Sequence, residues 1–218
     1  MELNVPYVKQ PVGSVLCGAA SATMVLRFLG KQISLKRVVR ELCIKSSRGV
    51  NCAHLASYFL QHNMDVVVQA WPHGMSEGLR SVKLLKGESA ITALKRGVQD
   101  GTRSKARVLC RELTALAKKG GGVILEPVTL EVLRGRLASG FPIIAGIDAK
   151  HFANLSRSVG HYVVVYGITD RDSQVSQPYV DVHDPELGPE KFITVQNMLD
   201  ACNGWYGSII CVKPKTVR

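Results

Sequence analysis

The stretch S-V-L-C-G-A-A-S-A-T-M-V-L-R-F-L-G, Ser14 to Gly30, decides how the chain is read. Ala22, Val25, Leu26 and Leu29 recur at helical spacing, and Gly30 can end a helix in the left-handed conformation. The first turns hold Gly18, Ala19, Ala20, Ser21 and Ala22, side chains small enough for other backbone to approach closely. Such a helix belongs at the centre of a fold. Its first residue is Cys17. Only the thiolate attacks carbonyl carbon, and a helix N-terminus favours it with roughly half a positive charge and unpaired N–H groups. Cys17 is therefore either a buried packing residue or a nucleophile, and distant segments decide between the two.

Of the 6 histidines, His161 follows Gly160 and opens the apolar run H-Y-V-V-V-Y-G-I, which predicts a strand holding the ring at a sheet end. Further on, P-Y-V-D-V-H-D-P-E-L-G predicts a second strand ending at Asp184-Pro185. If the two strands pair, Asp184 can accept from the imidazole N–H, select its tautomer and steady the imidazolium. His183 alternates to the opposite face and reads as structural, and His151 in A-K-H-F-A-N-L reads as a solvated loop histidine. Acyl chemistry also needs donors for the oxyanion. The Cys17 N–H is one, and the amide of Gln10, in the extended segment before the helix, can swing beside it as a second.

In order, V-P-Y-V-K-Q, C-G-A-A-S-A-T-M-V-L-R-F-L-G, G-H-Y-V-V-V-Y-G-I and V-H-D-P-E-L-G resemble the peptidase C39-like branch of the papain-like cysteine peptidases. That branch includes the bacteriocin-processing domains that cleave leader peptides after a double glycine. The resemblance runs from Val5 to Val212 and implies Cys17 as nucleophile, His161 as general base and then acid, Asp184 as orienter and Gln10 as oxyanion donor. It implies no metal and no organic cofactor. The fold it implies is α+β and papain-like, with the nucleophile helix packed on a largely antiparallel sheet. The expected reaction is cleavage of a peptide amide bond through a thioester acyl-enzyme. Glutamine deamidation and acyl transfer are alternatives on the same fold.

The rest of the chain fits a single domain over residues 1–218. Ser34, Asn51 and Thr129 stand where each can cap a helix, D-V-V-V-Q-A-W reads as a strand, and Thr194 to Cys202 reads as a helix before the strand G-S-I-I-C-V-K. The main departure is a basic block. From Arg80 to Lys119 eleven basic residues face three acidic ones, a surplus of eight in a chain of net charge +11. It reads as a helical insertion at about 74–122, with helices around Glu77 to Leu85, Glu88 to Val98 and Ser104 to Lys119. Such a block can hold an acidic partner, which leaves a non-catalytic basic binding module as a reading from another class. Few aromatics lie among its bases and no nucleic-acid motif is present, so nucleic acid is not the expected partner.

No apolar run reaches the roughly 18 residues that cross a bilayer, and M-E-L-N-V-P-Y is not a signal peptide. The expected location is cytoplasmic, or outside the cell by a route without a classical signal. The 6 cysteines show no C-x-x-C pair, so all but Cys17 are read as reduced, small apolar residues. Trp71 and Trp205 read as partly buried.

Overall fold

A computed structural model describes residues 2–44, 49–70, 82–100, 104–153, 159–169, 178–204 and 207–215. In chain order they form α1 (Cys17–Phe28), α2 (Leu35–Glu41), α3 (Cys52–Gln61), β1 (Met64–Ala70), β2 (Val82–Leu85), α4 (Gly87–Asp100), α5 (Ser104–Lys118) and β3 (Gly122–Leu125). The second half adds α6 (Leu130–Ala138), β4 (Ile143–Asp148), α7 (Lys150–Ala153), β5 (Gly160–Thr169), β6 (Tyr179–Asp184), β7 (Gly188–Thr194), α8 (Val195–Cys202) and β8 (Ser208–Pro214).

The strands make one sheet in the order β2-β3-β1-β8-β4-β5-β6-β7. Every pairing is antiparallel except β1 with β3. Both faces are covered, which explains why β5 is apolar almost without a break. Val164 and Tyr166 face a core shared with Met24, Val25, Leu55, Phe59, Leu113 and Leu116 of α1, α3 and α5. Val163 and Val165 face a second core with Leu133, Leu137, Met198 and Cys202 of α6 and α8. The expected α+β architecture, a cysteine-bearing helix on a largely antiparallel sheet, is what the chain adopts.

Local chemistry sets the helix ends. Ser34, Asn51, Thr129 and Thr194 each accept, through the side chain, the N–H three residues on at the starts of α2, α3, α6 and α8. At the end of α1, Gly30 takes a φ of +80°, and the Gly30 and Lys31 N–H groups donate to the Arg27 and Leu26 carbonyls. That double closure needs a residue tolerant of the left-handed region.

Three expectations are corrected. Where the Glu77 to Leu85 segment is described it is strand, not helix: β2 pairs Val82 with Leu125 and Leu85 with Val123, satisfying the edge of β3 that β1 leaves open. The basic block is also not wholly helical or separate. β2 and β3 extend the common sheet, and Ala90, Ile91, Leu94, Cys110, Leu113 and Leu116 join the same core as α1. Cys43 is exposed rather than packed, at φ +52° just past α2. Among the other elements, β7 carries no strand signal in G-P-E-K-F-I-T, because it pairs on one side only and its outer edge tolerates Pro189 and charge. His151 lies in the short α7 and is exposed. Trp71 and Trp205 lie outside the described residues.

Candidate active site

Cys17 is the first residue of α1, partly exposed and free. The residue before it is Leu16, and no side chain caps this helix. No acidic residue occupies its first turn either. A serine or aspartate at the Leu16 position would contribute about 1 kcal/mol, as the caps of the other helices do. Leaving the terminus open costs that stability and keeps the positive end of the dipole and its N–H groups directed at whatever binds beside the sulfur.

His161 reaches the sulfur from β5. The antiparallel pairing of β5 with β6, Val164 against His183, carries Asp184 to the same end of the sheet. His161 Nε2 and Asp184 Oδ1 lie 3.0 Å apart. The Cys17 sulfur lies near the ring, where Nδ1 is the nitrogen that remains to face it. The side chain of His161 is 11% exposed and that of Asp184 1%. Asp184 Oδ1 also accepts the Glu186 and Leu187 N–H groups at 2.8 and 3.0 Å, so the turn after β6 fixes the carboxylate.

The electrostatics follow from this geometry. Burial acts to lower the pKa of His161, but hydrogen bonds to Asp184 and Cys17, and then their charges, outweigh it and raise the value from 6.5 to about 10. Burial likewise acts to raise Asp184, and the His161 hydrogen bond and charge, helped by the Leu187 and Glu186 N–H groups, hold it below 3.8. The arrangement favours an imidazolium held by the Asp184 carboxylate. Burial pushes Cys52 and Cys110 up to about 11, Cys202 to about 12 and Cys211 to about 11, so these stay neutral.

Gln10 is 4% exposed, and its Nε2 donates to the Ser14 carbonyl at 3.1 Å, in the turn that leads into α1. One amide hydrogen is left over. The backbone N–H of Gln10 donates to Pro185 O at 2.9 Å, and Tyr7 Oη donates to Asp184 O at 3.1 Å. The same strap continues backward: His183 Nε2 donates to the Val5 carbonyl at 2.9 Å, and Leu3 N–H to Tyr166 O. The N-terminal segment thus ties Gln10 and Asp184 to one another. His183 is structural, as its alternation predicts.

The structure bonds His161 to Asp184, sets Cys17 beside the ring and places Gln10 against the turn before Cys17. It adds residues that the sequence reading passed over. Tyr162, next to His161, lies with one ring edge against Gly18 and the other against Gly146: a Cβ at either glycine would stand 3.2 or 3.0 Å from the ring. Both glycines are therefore needed to admit it beside Cys17. Tyr7 is the other, and only its place in a short extended segment with Gln10 pointed to it.

No family model matches the chain, and no curated protein matches it. Among solved structures it is similar to a double glycine motif protease from an AMS/PCAT transporter, in complex with the leader peptide, with TM-score 0.50 and 18% identity over 98% of this chain and 94% of that one. It is also similar to the peptidase domain of Streptococcus ComA, a bi-functional ABC transporter involved in quorum sensing, with TM-score 0.49 and 13% identity over 97% and 100%. The first likeness establishes the fold: this chain is built as the double-glycine peptidase domains are. Among the described residues no helix is long and apolar enough to cross a membrane.

Proposed function

We propose that the chain is a cysteine peptidase that cleaves a peptide after small residues, a double glycine being the first candidate. The observation that carries this reading is the His161 ring held by Asp184, 3.0 Å away, and set beside Cys17. The fold shared with a double glycine motif protease supports it.

In the proposed reaction the Cys17 thiolate attacks the scissile carbonyl carbon, and the C=O electrons move to oxygen. The Cys17 N–H and the free Nε2 hydrogen of Gln10 donate to that oxyanion. The His161 imidazolium gives its Nδ1 proton to the leaving amine as the C–N bond breaks and the oxyanion collapses to a thioester. Neutral His161 then takes a proton from water, the hydroxide attacks the thioester, and the acid product leaves with the sulfur again an anion beside an imidazolium. Asp184 keeps the ring oriented throughout and steadies its charged form. The buried, fixed carboxylate suits that role better than proton transfer.

The test is incubation of the protein with peptides containing Gly-Gly and with controls bearing Ala or Leu at those positions, followed by mass spectrometry. Cleavage C-terminal to the glycines, absent in Cys17→Ala, is the expected result. A product heavier only by the exchange of an amide for an acid, with the chain intact, would instead show deamidation. No turnover of any peptide, together with Cys17 no more reactive than a free thiol, would overturn the reading.

A further inference from the structure

The sheet ladders alone do not fix Asp184. The β5 ladder ends with Val164 opposite His183, one residue short of it, and the β7 ladder shifts register between Val182 and Asp184. Among the described residues, every hydrogen bond of the carboxylate falls on one oxygen: Oδ1 meets His161 Nε2 at 3.0 Å and the Glu186 and Leu187 N–H groups at 2.8 and 3.0 Å. The other oxygen, Oδ2, is buried and has no partner among those residues. The carboxylate is thus tied at one oxygen, and its aim at His161 depends on where the Asp184 backbone stands.

Tyr7 grips that backbone from outside the sheet. Its Oη donates to the Asp184 carbonyl at 3.1 Å and lies 3.4 Å from the Pro185 carbonyl, which also accepts the Gln10 N–H at 2.9 Å. The ring of Tyr7 is anchored as well. It stands edge-on to the His183 ring, with centroids 5.7 Å apart and planes at 69°. His183 in turn leans on the Tyr166 ring at 4.3 Å and donates to the Val5 carbonyl at 2.9 Å. A phenol whose ring is held in this way can hold what its hydroxyl touches. Burial, and then the Asp184 charge, push the Tyr7 pKa above 10.0, so the hydroxyl keeps its proton and remains a donor at neutral pH.

We infer that Tyr7 is a positioning residue, whose hydroxyl clamps the Asp184 carbonyl and so keeps the carboxylate aimed at His161. This deepens the peptidase reading and rests on it. Because the clamp closes on main chain, it survives removal of the Asp184 side chain. A contribution of Tyr7 to folding therefore persists in Asp184→Ala, whereas its contribution to catalysis does not.

The experiment places Tyr7→Phe, which deletes only the hydroxyl, in the wild-type protein, in Asp184→Ala and in Gln10→Ala. Cleavage of a Gly-Gly peptide, the NMR titration of His161 and Tm are measured in each. In the wild-type background kcat is expected to fall about fivefold with little change in KM, and the His161 pKa to fall by about half a unit. Tm is expected to fall by about 3 °C in every background, the loss of one partly buried hydrogen bond. In Asp184→Ala the added change leaves kcat and the His161 pKa where they were, and in Gln10→Ala it costs the same factor as in the wild-type protein. A lower Tm with kcat and the His161 pKa unchanged in Tyr7→Phe overturns the inference and leaves the peptidase reading standing. A loss of kcat that persists in Asp184→Ala, or one that vanishes in Gln10→Ala, overturns it as well. A wild-type protein that cleaves no peptide overturns the peptidase reading, and the titration of His161 with and without the Tyr7 hydroxyl then decides the clamp by itself.

Discussion

Replacing Asp184 with alanine removes the larger of the two partners that charge His161. The rise from 6.5 to about 10 corresponds to roughly 5 kcal/mol of preference for the imidazolium, won against burial. The hydrogen bond to Asp184 outranks that to Cys17, and its charge adds to it, so at least half of the preference belongs to the carboxylate. Asp184→Ala is therefore expected to lower the His161 pKa by about two units, or about 3 kcal/mol, and to reduce kcat/KM by about a hundredfold near neutral pH. It also strands the Glu186 and Leu187 N–H groups, which now donate to Asp184 Oδ1, at a further cost of about 2 kcal/mol in stability. Asp184→Asn separates charge from geometry. Its amide oxygen can still accept from the ring and from both backbone groups, so its His161 pKa should fall by only about one unit. The assay is an NMR titration of the imidazole carbon in the three proteins, with peptide cleavage measured over the same pH range. A His161 that titrates in Asp184→Ala where it does in the wild-type protein would refute the reasoning.

Gln10→Ala should lower kcat by about a hundredfold with little change in KM, since the amide acts on the oxyanion and not on the ground state; steady-state kinetics on a Gly-Gly peptide reads the split. Gly18→Ala should cost about 1–3 kcal/mol, read as a lower Tm, because the new methyl meets Val50 Cγ1 at 2.4 Å and the Tyr162 ring at 3.2 Å. Stability should also depend on pH at both ends. The folded pKa of His161 lies above 6.5, so its contribution is complete below 6.5 and is lost as pH rises through about 10. Asp184 lies below 3.8, so its contribution is present above 3.8 and is lost on further acidification. Tm measured against pH should fall toward pH 10 in the wild-type protein by an amount that His161→Gln abolishes.

Much of this site is legible in the residues because its parts sit at element ends that local chemistry fixes. Cys17 starts a helix whose small residues and Gly30 stop are plain, and His161 and Asp184 bound two strands whose pairing needs only a register. Gln10 was readable as an amide upstream of the sulfur, but its tie to Pro185 was not, since backbone bonds across 175 residues leave no mark on composition. The same holds for Tyr7 and the Asp184 carbonyl. In the basic block, periodicity located α4 and α5 and misjudged Val82–Leu85, where the open edge of β3 overrides local preference.

In the proposed function, His161 makes the Cys17 sulfur reactive toward an incoming carbonyl. The most direct measurement is the second-order rate of iodoacetamide alkylation at Cys17 across pH, in the wild-type protein and in His161→Gln, with a small thiol as reference. The account predicts that wild-type Cys17 reacts faster than the reference at neutral pH and loses that advantage in His161→Gln. Equal rates for the wild-type protein and His161→Gln at every pH would contradict it.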